Sequence, residues 1–148
     1  MGASIEIFHP GWMIGDGEPV PTPGEVWTAM VEVQRRGATT PSDWHPHVEA
    51  ASVDGEAEFE AVPPWSATYR FTCSAVAVVR HWTILDCDGL HLAIPGSFPG
   101  GVTGTGRFVH DTYFVTPDVR DVLRSPFLVD RVRTEGENLI VTGQPVMR

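Results

Sequence analysis

The chain has 148 residues, enough for one hydrophobic core without cross-links or a structural metal. With 42% hydrophobic and 20% charged residues, it lies outside the compositions that stay disordered. Lys plus Arg number 10 against 19 for Asp plus Glu, a formal charge of −9, so a phosphate-neutralising role is excluded and no nucleic-acid partner is expected.

No apolar run approaches the ~20 residues that span a bilayer, and the longest, SAVAVV at 74–79, is strand-sized, so no membrane partner is expected. The opening MGASIEIFHPGW lacks the basic-then-apolar profile of a secretory leader. With only two cysteines, Cys73 and Cys87, these features predict a cytoplasmic protein with two free thiols.

Fifteen glycines and 13 prolines punctuate short β-branched and aromatic runs, the pattern of an all-β protein. Strands are predicted at 3–8, 25–35, 47–53, 56–62, 67–74, 76–87, 90–95, 106–115, 127–133 and 138–142. No repeat or long linker divides them, so residues 1–148 are expected to form a single domain, a small β-barrel or barrel-like sandwich of seven to ten strands.

The first chemically suggestive stretch is SDWHPHVEA, residues 42–50. In a strand, side chains alternate between faces, so His45, His47 and Glu49 share one side. If Asp54-Gly55 forms a two-residue hairpin loop, Glu49 faces Glu60, and the four residues His45, His47, Glu49 and Glu60 lie together on the side away from Val48, Ala50 and Phe59. Two imidazoles and two carboxylates suit a divalent metal, and a cation would relieve the repulsion between Glu49 and Glu60. The same pattern also describes a solvated acidic face on an edge hairpin.

Farther along, Arg80 alternates with Val76 and Val78 while His81 takes the other side, which predicts that Arg80 faces a core or a barrel lumen. A second Asp-Gly loop, Asp88-Gly89, sets Asp86 directly across from His91, a carboxylate–imidazole pair able to do acid–base work or simply to stabilise a hairpin. The glycine-rich PGSFPGGVTGTGR, residues 95–107, has Arg107 and Phe108 where a phosphate loop needs Lys and Ser or Thr, and is expected to be a mobile loop over a barrel mouth. In GRFVHDTYFV, His110 and Asp111 occupy opposite faces of a strand, either of which can line a cavity. TPDVRDVLRS predicts a short helix near 117–124, with Thr116 as cap, Pro117 at the first helical position, and Val119, Val122 and Leu123 on one face. Trp12, Trp44 and Trp65 adjoin glycines or prolines in turns and, with Trp82 and Tyr113, are the candidate ligand-binding aromatics.

Two stretches resemble known families. Gly37, His45-x-His47, Glu49 and Gly55 resemble the first cupin motif, and residues 89–101 resemble the second, with altered spacing around His45 and His47 and no histidine after Gly101. Residues 11–28, GWMIGDGEPVPTPGEVWT, resemble the opening of an uncharacterised family of small β-rich proteins from high-GC bacteria, with Asp16 standing where that family has a cysteine. The first resemblance implies a metal-binding barrel, and the second implies a small β domain without a known activity.

Three functions follow as expectations. The first is a binding module that holds a small apolar molecule or a protein. The second is an acid–base enzyme without organic cofactor, an isomerase, cyclase or hydrolase, using Arg80, His81, His110 and Asp111 in a lumen or Asp86 and His91 at its rim. The third is a cupin-like protein with a divalent metal at His45, His47, Glu49 and Glu60. Homodimerisation is left open.

Overall fold

Alternation of apolar and polar residues carries through most of the chain. A computed structural model, which describes residues 4–39, 47–51, 67–112 and 116–146 (the backbone alone at 35–39, 47 and 49–51), turns that alternation into strands. Among the described residues there are ten strands and two short helices: β1 Ile5–His9, α1 Gly11–Gly15, β2 Val26–Ala29, β3 Val31–Thr39, β4 His47–Ala51, β5 Thr68–Val79, β6 Trp82–Cys87, β7 Leu90–Pro95, β8 Val102–His110, α2 Pro117–Leu123, β9 Ser125–Glu135 and β10 Asn138–Pro145. No helix among them is long and apolar enough to cross a membrane.

The strands pair in the order β2-β9-β10-β1-β8-β3-β7-β6-β5-β4, and β8 also pairs with β5, closing β3, β5, β6, β7 and β8 into a five-stranded barrel. Strand β8 serves two neighbours on one edge. Residues 102–106 pair with β5, and Phe108 and Val109 pair in parallel with Ile7 and Phe8 of β1. From that fork β1, β10, β9 and β2 extend as a four-stranded wing. One core runs through both parts, from Ile7 and Phe127 in the wing to Phe71, Leu92 and Ile94 in the barrel. Helix α2 packs Val119 and Leu123 on Ile84 and Ala93, so β6 and β7 are covered on both faces.

The Asp88-Gly89 hairpin forms in the expected register, Asp86 opposite His91, with positive φ at both loop residues. Helix α2 begins at Pro117 as expected, although the Thr116 hydroxyl donates to the Asp118 carboxylate instead of capping a backbone N–H. The Asp54-Gly55 loop and the 56–62 strand lie outside the described residues, and β4 is seen paired with β5, position 47 opposite Thr72 and position 49 opposite Arg70.

Several expectations are corrected. The stretch 25–35 is two strands, because the chain changes partners at Met30: β2 pairs with β9, whereas β3 pairs with β7 and β8. The stretch 76–87 contains a turn at Arg80-His81, with Arg80 at φ 57°, so both residues are exposed at a hairpin tip and neither faces a lumen. Half of the glycine-rich run is strand β8, not a loop. Gly104 and Gly106 stand opposite Phe71 and Tyr69 on the core side, where two glycines leave room for aromatic rings in a tightly curved barrel.

The cysteines are not free thiols: Cys73 and Cys87 are joined by a disulfide across β5 and β6, with Cα atoms 5.4 Å apart. The Arg80-His81 turn alone would set Cys73 opposite residue 88. A bulge between Ala75 and Ala77 absorbs one residue and brings the two cysteines level. The link closes 14 residues of chain, worth about 3 kcal/mol in the chain-entropy account. Replacing both cysteines by alanine should therefore lower the thermal midpoint by roughly 6–12 °C, and an unchanged midpoint in a calorimetric scan would contradict the cross-link.

Candidate functional site

The site forms where the wing meets the barrel. In IEIFH, Ile5, Ile7 and His9 share a face, so a strand that feeds two isoleucines into the core ends by feeding it an imidazole. Pro10, which has no N–H to continue the ladder, stops β1, and the five-residue α1 follows with Met13 buried beneath it. The helix closes on Gly17 at φ 101°, with Gly17 N–H donating to the Ile14 carbonyl and Glu18 N–H to the Met13 carbonyl. That reversal carries Glu18 back over the strand ends. On the barrel side, His110 is the last residue of β8 and lies on the inward face with Phe108.

His9 is fully buried and His110 nearly so. Trp27 of β2 packs against both, 5.7 Å from His9 and nearly parallel to it, and 4.6 Å from His110. The two imidazoles are 4.7 Å apart between centroids. The break at Met30 contributes directly: released from the ladder, its backbone N–H donates to His110 Nδ1 at 3.2 Å. The proton of the neutral ring is thereby placed on Nε2, which donates to Glu18 Oε1 at 3.1 Å. In His9 the arrangement is reversed. Nδ1–H donates to the Pro10 carbonyl at 3.1 Å, and the Nε2 lone pair is buried with no hydrogen-bond partner among the described residues.

Burial holds both rings well below the ordinary histidine range. The pKa of His9 is lowered to about 4 by desolvation and then by the neighbouring His110, and that of His110 to about 4 by desolvation. At pH 7 both are neutral, so the His110–Glu18 contact is a hydrogen bond to a carboxylate and not an ion pair.

Beside this cluster opens a cleft of about 330 Å³, lined by Glu18, Pro19, Val20, Pro21, Thr22, Glu25, Val26, Trp27, Thr28, Met30 and His110. Among the described residues it has apolar walls, two carboxylates and an imidazole, and neither lysine nor arginine. Such a lining accepts hydrogen bonds and positive charge, and it disfavours anions. No family model, no curated protein and no solved structure matches the chain.

The residues singled out in the sequence scatter. His110 belongs to the cluster, and half-buried Asp111 follows it, its N–H bonded to the Met30 carbonyl. Arg80 and His81 stand at their hairpin tip, Arg80 paired with Asp118 at 3.0 Å. His91 is buried against α2: its Nδ1 donates to the Val122 carbonyl at 2.6 Å and its backbone N–H to Ser125 Oγ, while Asp86 is 3.9 Å away and accepts from the Gly89 N–H. In this structure the pair anchors a helix and a turn. Trp12 is exposed on α1, and Trp82 packs against the α2 cluster. His45, Trp44, Glu60, Trp65 and Tyr113 lie outside the described residues, as do the side chains of His47 and Glu49.

His9, Glu18 and Trp27 were not singled out from the sequence. One signal for His9 was available, a histidine in phase with two isoleucines. Together His9, Glu18 and His110 bring two imidazoles and one carboxylate together, with one potential ligand atom from each within 4.8 Å of the others. An ion on His110 Nε2 would displace its proton to Nδ1 and break the Met30 bond, at a cost of ~1–3 kcal/mol. That is small beside the ~10 kcal/mol scale of structural zinc binding.

Proposed function

We propose that the protein is a small-molecule-binding module whose working site is the cleft between Glu18, Trp27, Met30 and His110. Its ligand has an apolar body and a hydrogen-bond-donating or cationic head. The observation that carries this reading is the His9 Nε2 lone pair, a buried acceptor without a partner among the described residues, beside the cleft's own carboxylate. Buried acceptors are normally satisfied, and one left open among the described residues suits a donor that a ligand can supply. Trp27 and the proline-rich wall of residues 19–21 suit a flat apolar body.

Tryptamine and indole-3-acetate share a ring and differ in the charge of the head, which makes them a matched pair of probes. By calorimetric titration in the presence of chelator, tryptamine is expected to bind at least tenfold more tightly, an advantage that Glu18→Gln reduces. Equal binding, or preference for the acetate, would rule the reading out.

The acid–base alternative is second. A bare imidazole nitrogen beside an oriented imidazole N–H favours it, but a base with a pKa of about 4 is poorly matched to proton abstraction near pH 7. A protein partner would instead use Val20, Val26 and Leu128, exposed apolar residues beside the cleft, the last two paired across β2 and β9. The cytoplasmic placement is drawn from the leader-free profile of the opening residues and the low cysteine count; a buried disulfide accords better with oxidising surroundings.

A further inference from the structure

The acceptors beside the cleft are arranged in a way that a hydrogen-bonded core does not require. His9 commits Nδ1–H to the Pro10 carbonyl and leaves Nε2 bare, and one potential ligand atom of its ring lies within 4.8 Å of one each from His110 and Glu18. A backbone carbonyl on one nitrogen, with a lone pair on the other, is how metal-ligating imidazoles are commonly oriented. Glu18 supplies the anionic donor, and it and His110 line the cleft.

We infer that His9, Glu18 and His110 form a site for one divalent transition-metal ion of the zinc type, with a further coordination position facing the cleft. The inference rests on the reading that this cleft is the working site, and the ion and the cationic head of an organic ligand would compete for the same acceptors. Mixed imidazole and carboxylate donors suit zinc and its first-row neighbours, and three protein ligands with an exchangeable position are the pattern of reactive rather than purely structural sites. Donors ~2.1 Å from a tetrahedral ion stand ~3.4 Å apart, so the cluster must contract on binding. Glu18 can supply that movement, because it follows the end of α1 in a non-helical segment and is only partly buried.

The metal itself is the probe. Chelator-stripped protein is titrated with Co²⁺, followed by visible absorption and tryptophan emission, and then with Zn²⁺. One equivalent of Co²⁺ is expected, with visible bands of a low-coordinate ion and quenching of Trp27, both reversed by Zn²⁺. Glu18→Gln should weaken Zn²⁺ binding at least tenfold without moving the metal-free unfolding midpoint. His9→Ala should abolish the coloured complex, and His47→Ala should leave it intact. Wild-type affinity in Glu18→Gln would overturn the inference, as would failure to bind one equivalent. Loss of binding in His47→Ala with retention in Glu18→Gln would move the ion to the 45–49 motif. Tryptamine binding by the stripped protein separates the two readings: if it persists while metal binding fails, only the metal site falls, and if both fail, the cleft is not the working site.

Discussion

Acidification from pH 7 to pH 4 in the presence of chelator is expected to destabilise the protein by about 3–4 kcal/mol, chiefly through His9 and His110. Both have folded-state pKa values of about 4 against an ordinary value of 6.5. A depressed histidine pKa means that the unfolded chain takes up protons before the folded one does. Its stabilising contribution is therefore complete above pH 6.5 and is lost as the pH falls through 4. The depression corresponds to roughly 3 kcal/mol for each buried ring, about 6 for the pair, and repulsion between the charged rings deepens it; an opposing carboxyl returns about 2 of this.

One carboxyl opposes them. Glu32 of β3, half-buried opposite Val109 and Ala93, is pushed up to about 7 by desolvation and by the nearby Asp111. Its sign is reversed: the protonated form is favoured in the fold, and stability is lost as the pH rises from 4.5 through 7. Glu32→Gln, which mimics the protonated carboxyl, should gain about 2 kcal/mol at pH 8 and nothing at pH 4, making the acid-side fall steeper than in the wild type. Urea unfolding at intervals between pH 4 and 8.5 checks both effects. A flat wild-type profile would contradict the buried, neutral state of the two rings.

What could be read from the sequence divides according to the range of the interactions involved. Asp88-Gly89 and Thr116-Pro117 are local signals, and both mark real boundaries. The Arg80-His81 turn carries no turn residue, because Arg80 bears a positive φ that glycine or asparagine would normally occupy, so two strands look like one. That hidden turn concealed the disulfide, whose register also depends on the Ala75/Ala77 bulge. The glycines of β8 resemble a loop until Phe71 and Tyr69 are known to lie across from them.

The site is the least local feature of all. His9, Glu18, Trp27 and His110 come from three regions of the chain with no characteristic spacing, and they meet because β8 passes its C-terminal half to β1. His-x-His drew attention because its signal is contiguous, whereas the cluster that forms is assembled by topology.

Gly11→Ala is expected to cost about 2–4 kcal/mol and to dismantle the site, whereas Gly15→Ala, four residues later in the same short helix, should be neutral or stabilising by up to ~1 kcal/mol. A Cβ at position 11 would lie 1.7 Å from the Glu137 carbonyl oxygen and 2.6 Å from its carbon, both backbone atoms in the turn between β9 and β10. The Gly11 N–H also donates to Asn138 Oδ1 at 3.0 Å, so the start of α1 is fastened to that turn from both sides. Pushing them apart would shift the Pro10 carbonyl that holds the His9 tautomer, and would lift the helix whose end positions Glu18. At Gly15 an added Cβ meets nothing within 4 Å, and the substitution mainly restricts the unfolded chain. Thermal unfolding should separate the two variants by roughly 5–15 °C. Imidazole resonances of His9 and His110 should move in Gly11→Ala and stay in place in Gly15→Ala. Wild-type stability in Gly11→Ala would mean that α1 does not rest on the β9–β10 turn, and the position of Glu18 over His110 would fall with it.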